Sequence, residues 1–512
     1  MFTMNNICIL IAIVAYLLLV IGIGIKFSKD NKTADEFYLG GRKLGPFVTA
    51  MSAEASDMSS WLLMGLPGVA YLSGIADALW TAIGLAIGTY VNWLIVSKRL
   101  RRYSKIASNA ITIPDFFSKR FHDKQNVLMA ISAIVIIIFF VPYTASGFSA
   151  CGKLFGTLFG ADYFTAMAIS AAVIFLYTML GGFLAASTSD FIQSIVMTVA
   201  LVAVLIFGIS SAGGFDAVIN NAKELPGYLS LNHMYDAETA SSTDYGPLTI
   251  ISTLAWGLGY FGMPHILLRF MGAKDENKLK LSRRIASVWV VISLGIGVFI
   301  GVIGLSLSAN GTIGALEDSE TVIINIAQAM SLHGVLPALL AGIILAGILA
   351  STMSTADSQL LAASSAVSKN LADVFKIKMN PKVELIVARA TVFVISVVAV
   401  FLAKDPNSSV FKIVSFAWAG FGAAFGPAML FSLFWKRTTK WGAFAGMLSG
   451  GAMVFIWKFA IRPLGGAWNI YELLPAFVVS CLFIVVISLL GKAPSQEIID
   501  EFELAKSDKE ID

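Results

Sequence analysis

Apolar residues in this chain gather into runs of about 20, each closed by a short polar or charged stretch, a spacing that predicts membrane-crossing helices. About thirteen such runs can be counted, at 7–26, 46–72, 77–97, 127–151, 163–182, 189–211, 248–271, 285–307, 335–366, 384–403, 410–435, 441–461 and 471–490. The ninth is long enough to tilt or to extend past the bilayer, and residues 321–332 predict a surface helix just before it. The first run has the position of a signal peptide. Lys26 and Lys29 follow it instead of preceding it, however, and no small-residue cleavage site is evident, so it is expected to remain as a helix.

Two of the runs are interrupted. The second contains SAEASDMSSWLLMGLPG at 52–68, which sets Glu54 and Asp57 among serines and ends in a Gly-Leu-Pro-Gly breaker. A charge at mid-bilayer costs roughly 3 kcal/mol and usually marks an ion or substrate path. Freed backbone carbonyls are tolerated there only where protein, water or a cation receives them, so this segment reads as a discontinuous helix around a bound ion. The seventh run carries the second interruption, WGLGYFGMPH at 256–265. It lies five runs later, an odd number, so the two broken helices run in opposite directions, as in transporters built from inverted halves. The expected divisions are an additional helix and cytoplasmic loop at 1–44, a first repeat at 45–212 (helices 2–6) and an extracellular loop at 213–247. A second repeat at 248–436 (helices 7–11), helices 12 and 13 at 437–490 and a cytoplasmic tail at 491–512 follow. The competing account is that Gly and Pro are simply commoner in membrane helices.

Composition agrees with the pattern: 57% hydrophobic and 13% charged residues over 512 positions describe an all-α polytopic membrane protein and exclude a soluble globular domain. Cys8, Cys151 and Cys481 form no disulfide framework, and His122, His233, His265 and His333 are scattered. The net charge of +4 bears on topology and lipid headgroups, with no sign of a nucleic-acid partner. Basic loops at 98–124 and 274–284 are expected in the cytoplasm, while the acidic loops at 212–246 and 317–320 face outward. The amino terminus is then outside and the tail inside. Lys404, Lys412 and Arg462 run against this scheme.

Several residues could carry chemistry. In the ninth run, Ser351, Ser354, Thr355 and Ser358 recur at three- and four-residue spacing and share a helix face. Hydroxyls and bare carbonyls suit a hard cation such as sodium; alternatively they satisfy their own helix or join neighbouring ones. Asp190, after Ser187, Thr188 and Ser189, is a second ion ligand, a gate or a helix cap. Asp357 either joins it at an inner cation site or is a hydrogen-bonded carboxylate between packed helices. Trp256, Tyr260 and Tyr143 offer flat apolar walls with polar tips, suited to a small, partly apolar zwitterion. Gly84 with Gly88, and Gly422 with Gly426, read as close helix packing.

Four stretches, SDMSSWLLMGLPG at 56–68, GGFLAASTSDFIQ at 181–193, WGLGYFGMPHILLRFM at 256–271 and MSTADSQLLAASSAV at 353–367, together with ADEFYLGGRKLGPF at 34–47, resemble the sodium/solute symporter family over nearly the whole chain. The resemblance is to the branch that moves proline. It implies a LeuT-like five-plus-five inverted repeat, with about thirteen helices, discontinuous helices 2 and 7 and the amino terminus outside. It further implies a sodium ion held by the carbonyls of Ala55 and Met58 with Ser351, Ser354 and Thr355, and a further inner sodium site at Asp190, with Asp357 and Ser358 beside it. Asp57 matches an aspartate on which sodium-dependent transport relies in the family; Tyr143, Trp256, Tyr260 and Pro264 match positions around the solute. Glu54 and Met263 depart from the branch, where glycine and glutamine stand, and Ser351 matches an alanine.

The expected function is sodium-coupled import of a small amino or imino acid, L-proline foremost, by alternating access in a bacterial inner membrane, by a chain that works as a monomer among lipids and is not an enzyme. Alternatives are a sodium symporter for another amino acid, a betaine or a carboxylate, and a sensor that binds solute without moving it. The short tail, without a signalling domain, argues against the sensor, and no Walker-type glycine loop supports an ATP-driven pump.

Overall fold

A computed structural model describes residues 3–28 and 34–507; Lys29 with the rest of 29–33, and the end of the tail at 508–512, lie outside the described residues. The fold is helical apart from a two-stranded hairpin, His233–Asp236 against Ser241–Asp244, in the long loop after the sixth run. Ten helices among the described residues are long and apolar enough to cross a membrane, or eleven if the bent pair Pro247–Phe261 and Pro264–Gly272 is one span. The expected thirteen are therefore not reached by length. The other two runs are helices cut short. A break after Asp57 leaves Trp61–Ser73, and a kink at Gly182 leaves Tyr163–Met179. Gly182 has φ 61° and ψ −170°, a backbone state open to glycine alone.

The middle of the protein is formed by Val335–Ser365 and Val410–Phe434, with 78% of the apolar window of the latter buried; Lys382–Leu402, at 28%, faces outward, as expected of a lipid-facing helix. Val335–Ser365 packs against Met4–Ser28, Val127–Phe159 and Tyr163–Ser211. The helix anticipated at the surface, Val322–Ser331, is instead almost wholly buried, because its Ile and Val side chains pack against the Val335–Ser365 helix. Close backbone contact holds the second broken helix in place. A Cβ on Gly88 would lie 2.3 Å from the Gly257 carbonyl oxygen, and one on Gly257 would lie 2.2 Å from that of Gly84. These are the small-residue helix contacts read from the sequence.

Two polar fastenings tie the loops to the helices. At one end Lys153 Nζ lies 2.7 Å from Glu320 and 2.8 Å from Asp318, while Glu320 accepts from Ser409 Oγ and from the backbone N–H groups of Val410 and Phe411. Glu320 thus caps the helix Val410–Phe434, where an anion is favoured. Glu320→Ala, which leaves those N–H groups unpaired, is expected to cost about 2 kcal/mol, read as a lower melting temperature of the purified protein. At the other end Arg42 donates to the carbonyls of Met271 (2.6 Å) and Ala110 (2.7 Å), and Leu44 N–H donates to Gly272 O. Burial, with Arg101 nearby, lowers the Arg42 pKa to about 10, which leaves it a cation at neutral pH.

Candidate functional site

Both interrupted segments are broken in the structure. Pro46 opens the first helix, Pro46–Asp57, which ends where Met58 takes ψ 68°. The Ser59 N–H, which a continuing helix would give to Ala55, bonds to Asp57 O at 2.7 Å. The Ala55 carbonyl loses its helical partner by this turn and accepts instead from Ser354 Oγ at 2.7 Å. After the break the chain widens into a π turn, Trp61–Gly65, ahead of Leu66–Ser73. Pro67, without an N–H, cannot supply the bond a regular turn there would need.

The second segment tightens to a 3₁₀ turn at Ala255–Phe261, stops at Gly262 and Met263, and resumes as Pro264–Gly272, bent by 44°. Met263 is extended, as the residue before a proline prefers to be. The two breaks touch through Tyr260, whose hydroxyl donates to Asp57 Oδ2 at 2.5 Å, and Asn92 Nδ2 holds the Tyr260 carbonyl at 3.2 Å. Trp61 Nε1 donates to the Asp57 carbonyl at 3.0 Å.

Of the hydroxyls expected on one face, each has a different occupation. Ser351 Oγ donates back to Ile348 O, so its hydroxyl satisfies its own helix, while its carbonyl accepts from Ser354 Oγ at 3.1 Å. Ser354 bridges to the broken helix, and Thr355 Oγ1 has no partner among the described residues. Asp57 Oδ1 and Ser60 Oγ are likewise buried and unpartnered. Buried polar atoms without partners are costly and call for a ligand. All of these atoms, like the Ala55 carbonyl, are oxygens, the donor type a hard monovalent cation takes.

One turn further along, a charged cluster is wholly buried. Asp190 Oδ2 accepts from Arg269 Nη2 at 3.0 Å and from Ser52 Oγ at 2.6 Å. Arg269 also donates to Ser358 Oγ (2.5 Å), to Ser52 Oγ (2.9 Å) and to the His265 carbonyl (2.9 Å). Ser358 Oγ lies 3.1 Å from Asp357 Oδ1, and Asp190 Oδ1 and Asp357 Oδ2 are unpartnered among the described residues. Asp190 is buried inside the helix Tyr163–Ser211, eight residues past its kink, so it is no helix cap. Arg269 was not anticipated. An arginine alone in the apolar run that follows a broken helix was the signal for it.

Of the expected aromatic walls, Trp256 and Tyr260 both pack against Trp418. Trp256 stacks on Tyr471 (centroids 5.1 Å apart, 20°), lies 5.4 Å from Phe411 and 6.3 Å from Trp61, and its carbonyl accepts from Trp418 Nε1 at 2.7 Å. Tyr260 sets its ring edge-on to Trp418. Tyr143 is buried on the helix Val127–Phe159, and Met263 and Pro264 are buried at the second break. Tyr471, Trp418 and Phe411 come from far along the chain and carry no motif. Glu54, the departure from the resembled branch, accepts from Trp93 Nε1 at 2.8 Å through Oε1 and leaves Oε2 unpartnered among the described residues.

With this geometry in view, the comparisons are specific. The sequence model of the sodium:solute symporter family matches residues 37–450. The chain is 41% identical over 489 residues to the osmoregulated proline transporter of Bacillus subtilis (strain 168), covering 95% of this chain and 96% of that protein. It is 43% identical over 490 residues to the sodium/proline symporter of Escherichia coli (strain K12), covering 95% and 94%. The solved structure of a sodium-coupled sialic acid symporter, substrate-bound and outward-open, covers 96% of this chain and 99% of its own, with TM-score 0.78 at 16% identity, a likeness of fold.

Proposed function

The chain belongs to the sodium:solute symporter family, and from that premise we propose that it is a sodium-coupled symporter of proline. The observation that carries the reading is the pair of broken helices joined by the Tyr260 to Asp57 hydrogen bond, beside buried oxygens that lack partners. Sodium, as the co-transported ion, is held by the carbonyls of Ala55, Met58 and Ser351 and the hydroxyls of Ser354 and Thr355. These belong to the helix Pro46–Asp57 and the residue that ends it, Met58, and to Val335–Ser365, which packs against that helix, so an ion bound between them favours the arrangement in which they are close. Asp57 links that arrangement to the solute pocket through Tyr260. Tyr143, Trp256, Tyr260, Met263 and Pro264 surround the solute, with apolar faces for a pyrrolidine ring. Asp190, Asp357 and Ser358 form the inner exit of the ion path, where Arg269 holds the place of a second cation until it moves. The repeats at 45–212 and 248–436 rock against one another, in a chain whose amino terminus is outside and whose tail at 491–512 is in the cytoplasm of a bacterium.

The reading is tested in proteoliposomes made with the purified protein. Labelled proline accumulates above its outside concentration under an inward sodium gradient, and replacement of sodium by choline abolishes uptake. Uptake unchanged in choline would defeat the sodium coupling, and binding without accumulation would favour a sensor. Two residues favour a second reading, another small amino or imino acid. Met263 and Glu54 are buried beside the breaks, where the resembled branch has glutamine and glycine. Met263→Gln adds an amide that can hydrogen-bond a carboxylate and is expected to lower the half-saturating proline concentration by about 2- to 10-fold. A panel of amino acids, imino acids and betaines competing against labelled proline checks it; a betterment for another solute alone would move the assignment to that solute.

A further inference from the structure

A cavity of about 600 Å³ lies at one end of the molecule, away from the transport site, between the start of the helix Lys440–Ile456, the end of Leu473–Leu490 and the terminal helix Gln496–Lys506. Its floor is apolar, with Phe121, Ile487 and Ile498, and its rim carries Lys440 and Lys492. The helices beside it present Leu489, Leu490, Val486 and Trp441 as exposed side chains, a surface continuous with the lipid-facing belt, and an exposed tryptophan at a helix end is a mark of the membrane interface. Lys440 Nζ donates to Asp123 Oδ1 (3.2 Å) and to Gln125 Oε1 (3.0 Å) and lies 4.8 Å over the Trp441 ring. Lys492 is exposed and pairs with no carboxylate among the described residues. Arg437 spends Nη2 on the carbonyl of Gly491 at 2.8 Å, and its Nη1 is unpartnered among the described residues.

We propose that this cavity binds one anionic glycerophospholipid, its phosphate between Lys440 and Lys492 and an acyl chain along Ile487 and Leu490. The charge argues for it. Among the described residues Lys440 and Lys492 have one ion-pair carboxylate between them, Asp123, and basic pockets at the ends of membrane helices are a recognised form of lipid-headgroup site. The apolar floor argues for a lipid over a free anion, since a phosphate ion would leave that floor against water. The occupant completes the seat of the terminal helix. Ile498 forms one wall, and the next turn carries Phe502, which is buried beneath the guanidinium groups of Arg99 (4.9 Å) and Arg120 (5.5 Å). Lipid in the cavity therefore holds the terminal helix onto the short helices Ser97–Ile106 and Ile113–Arg120.

The test uses the full chain, purified in detergent and stripped of lipid, with phosphatidylglycerol, phosphatidylcholine of the same acyl chains, and inorganic phosphate as separate probes. Native mass spectrometry is expected to give at least about 5-fold tighter binding of phosphatidylglycerol than of phosphatidylcholine. Lys492→Gln is expected to reduce phosphatidylglycerol binding about 5-fold, and Lys440→Gln/Lys492→Gln further. Hydrogen exchange at 491–506 is expected to slow with phosphatidylglycerol in the wild-type protein but not in the double variant. Lys492 touches nothing in the transport site, so proline uptake by Lys492→Gln verifies that the variant is folded. Equal binding of the two lipids, binding indifferent to both substitutions, or the same protection from inorganic phosphate alone would each overturn the proposal.

Discussion

Asp57→Asn is expected to raise the half-saturating sodium concentration for uptake on the order of 10- to 100-fold, while leaving the protein folded. The carboxylate has two separate duties. Oδ2 accepts the Tyr260 hydroxyl across the two breaks, and Oδ1 is buried without a partner among the described residues. Asparagine keeps the size and one acceptor but removes the charge and turns a donor toward one of these positions. A charge-assisted bond contributes about 1.5–3 kcal/mol, which converts to the stated range. Initial rates of labelled proline uptake against sodium concentration measure it. Tyr260→Phe separates the duties, for it removes only the bond at Oδ2 and should shift the curve less. Unaltered sodium dependence in Asp57→Asn would remove this residue from ion coupling.

Arg269→Met is expected to destabilise the protein by about 3–5 kcal/mol, because it strands the wholly buried Asp190 without a counter-charge. Met fills much of the same volume, so the loss is electrostatic more than steric. The same chain with Asp190→Leu added should recover part of the melting temperature, since it removes the carboxylate paired with Arg269 while Asp357 stays buried without that cation. A double-mutant cycle on thermal unfolding isolates the coupling between the two. Transport need not recover with stability, and that divergence would assign the pair a part in the transport cycle beyond holding the fold. Full stability in Arg269→Met alone would mean that another group balances Asp190.

Runs of about 20 apolar residues made the helices legible, and the two interruptions were read from Ser, Gly and Pro set where a helix should continue. Pro67 and Pro264 withhold N–H groups, and the pre-proline position at Met263 is pushed out of the helical region. These are local effects, and local effects show in sequence. Length is less so: the runs at 46–72 and 163–182 counted as spans, but breaks at Met58 and Gly182 left helices too short to cross by themselves. The helix at Val322–Ser331 was found and its burial was not, because amphipathic spacing reports which face is apolar and not how many neighbours will cover the others.

The sequence alone determined that this is a polytopic helical membrane protein with two broken helices and a helix face of hydroxyls, because each of those follows from spacing along one segment. Only the tertiary structure decided which oxygens keep partners. Ser351 bonds to its own helix, Ser354 crosses to Ala55, and Thr355 is left unpartnered among the described residues, three outcomes for three neighbouring hydroxyls that no spacing distinguishes. It also decided that Asp190 faces Arg269, 79 residues away in the chain. Hydrogen bonds and ion pairs depend on distances of a few tenths of an ångström between distant segments, and those are set by packing, which the order of residues constrains only as a whole.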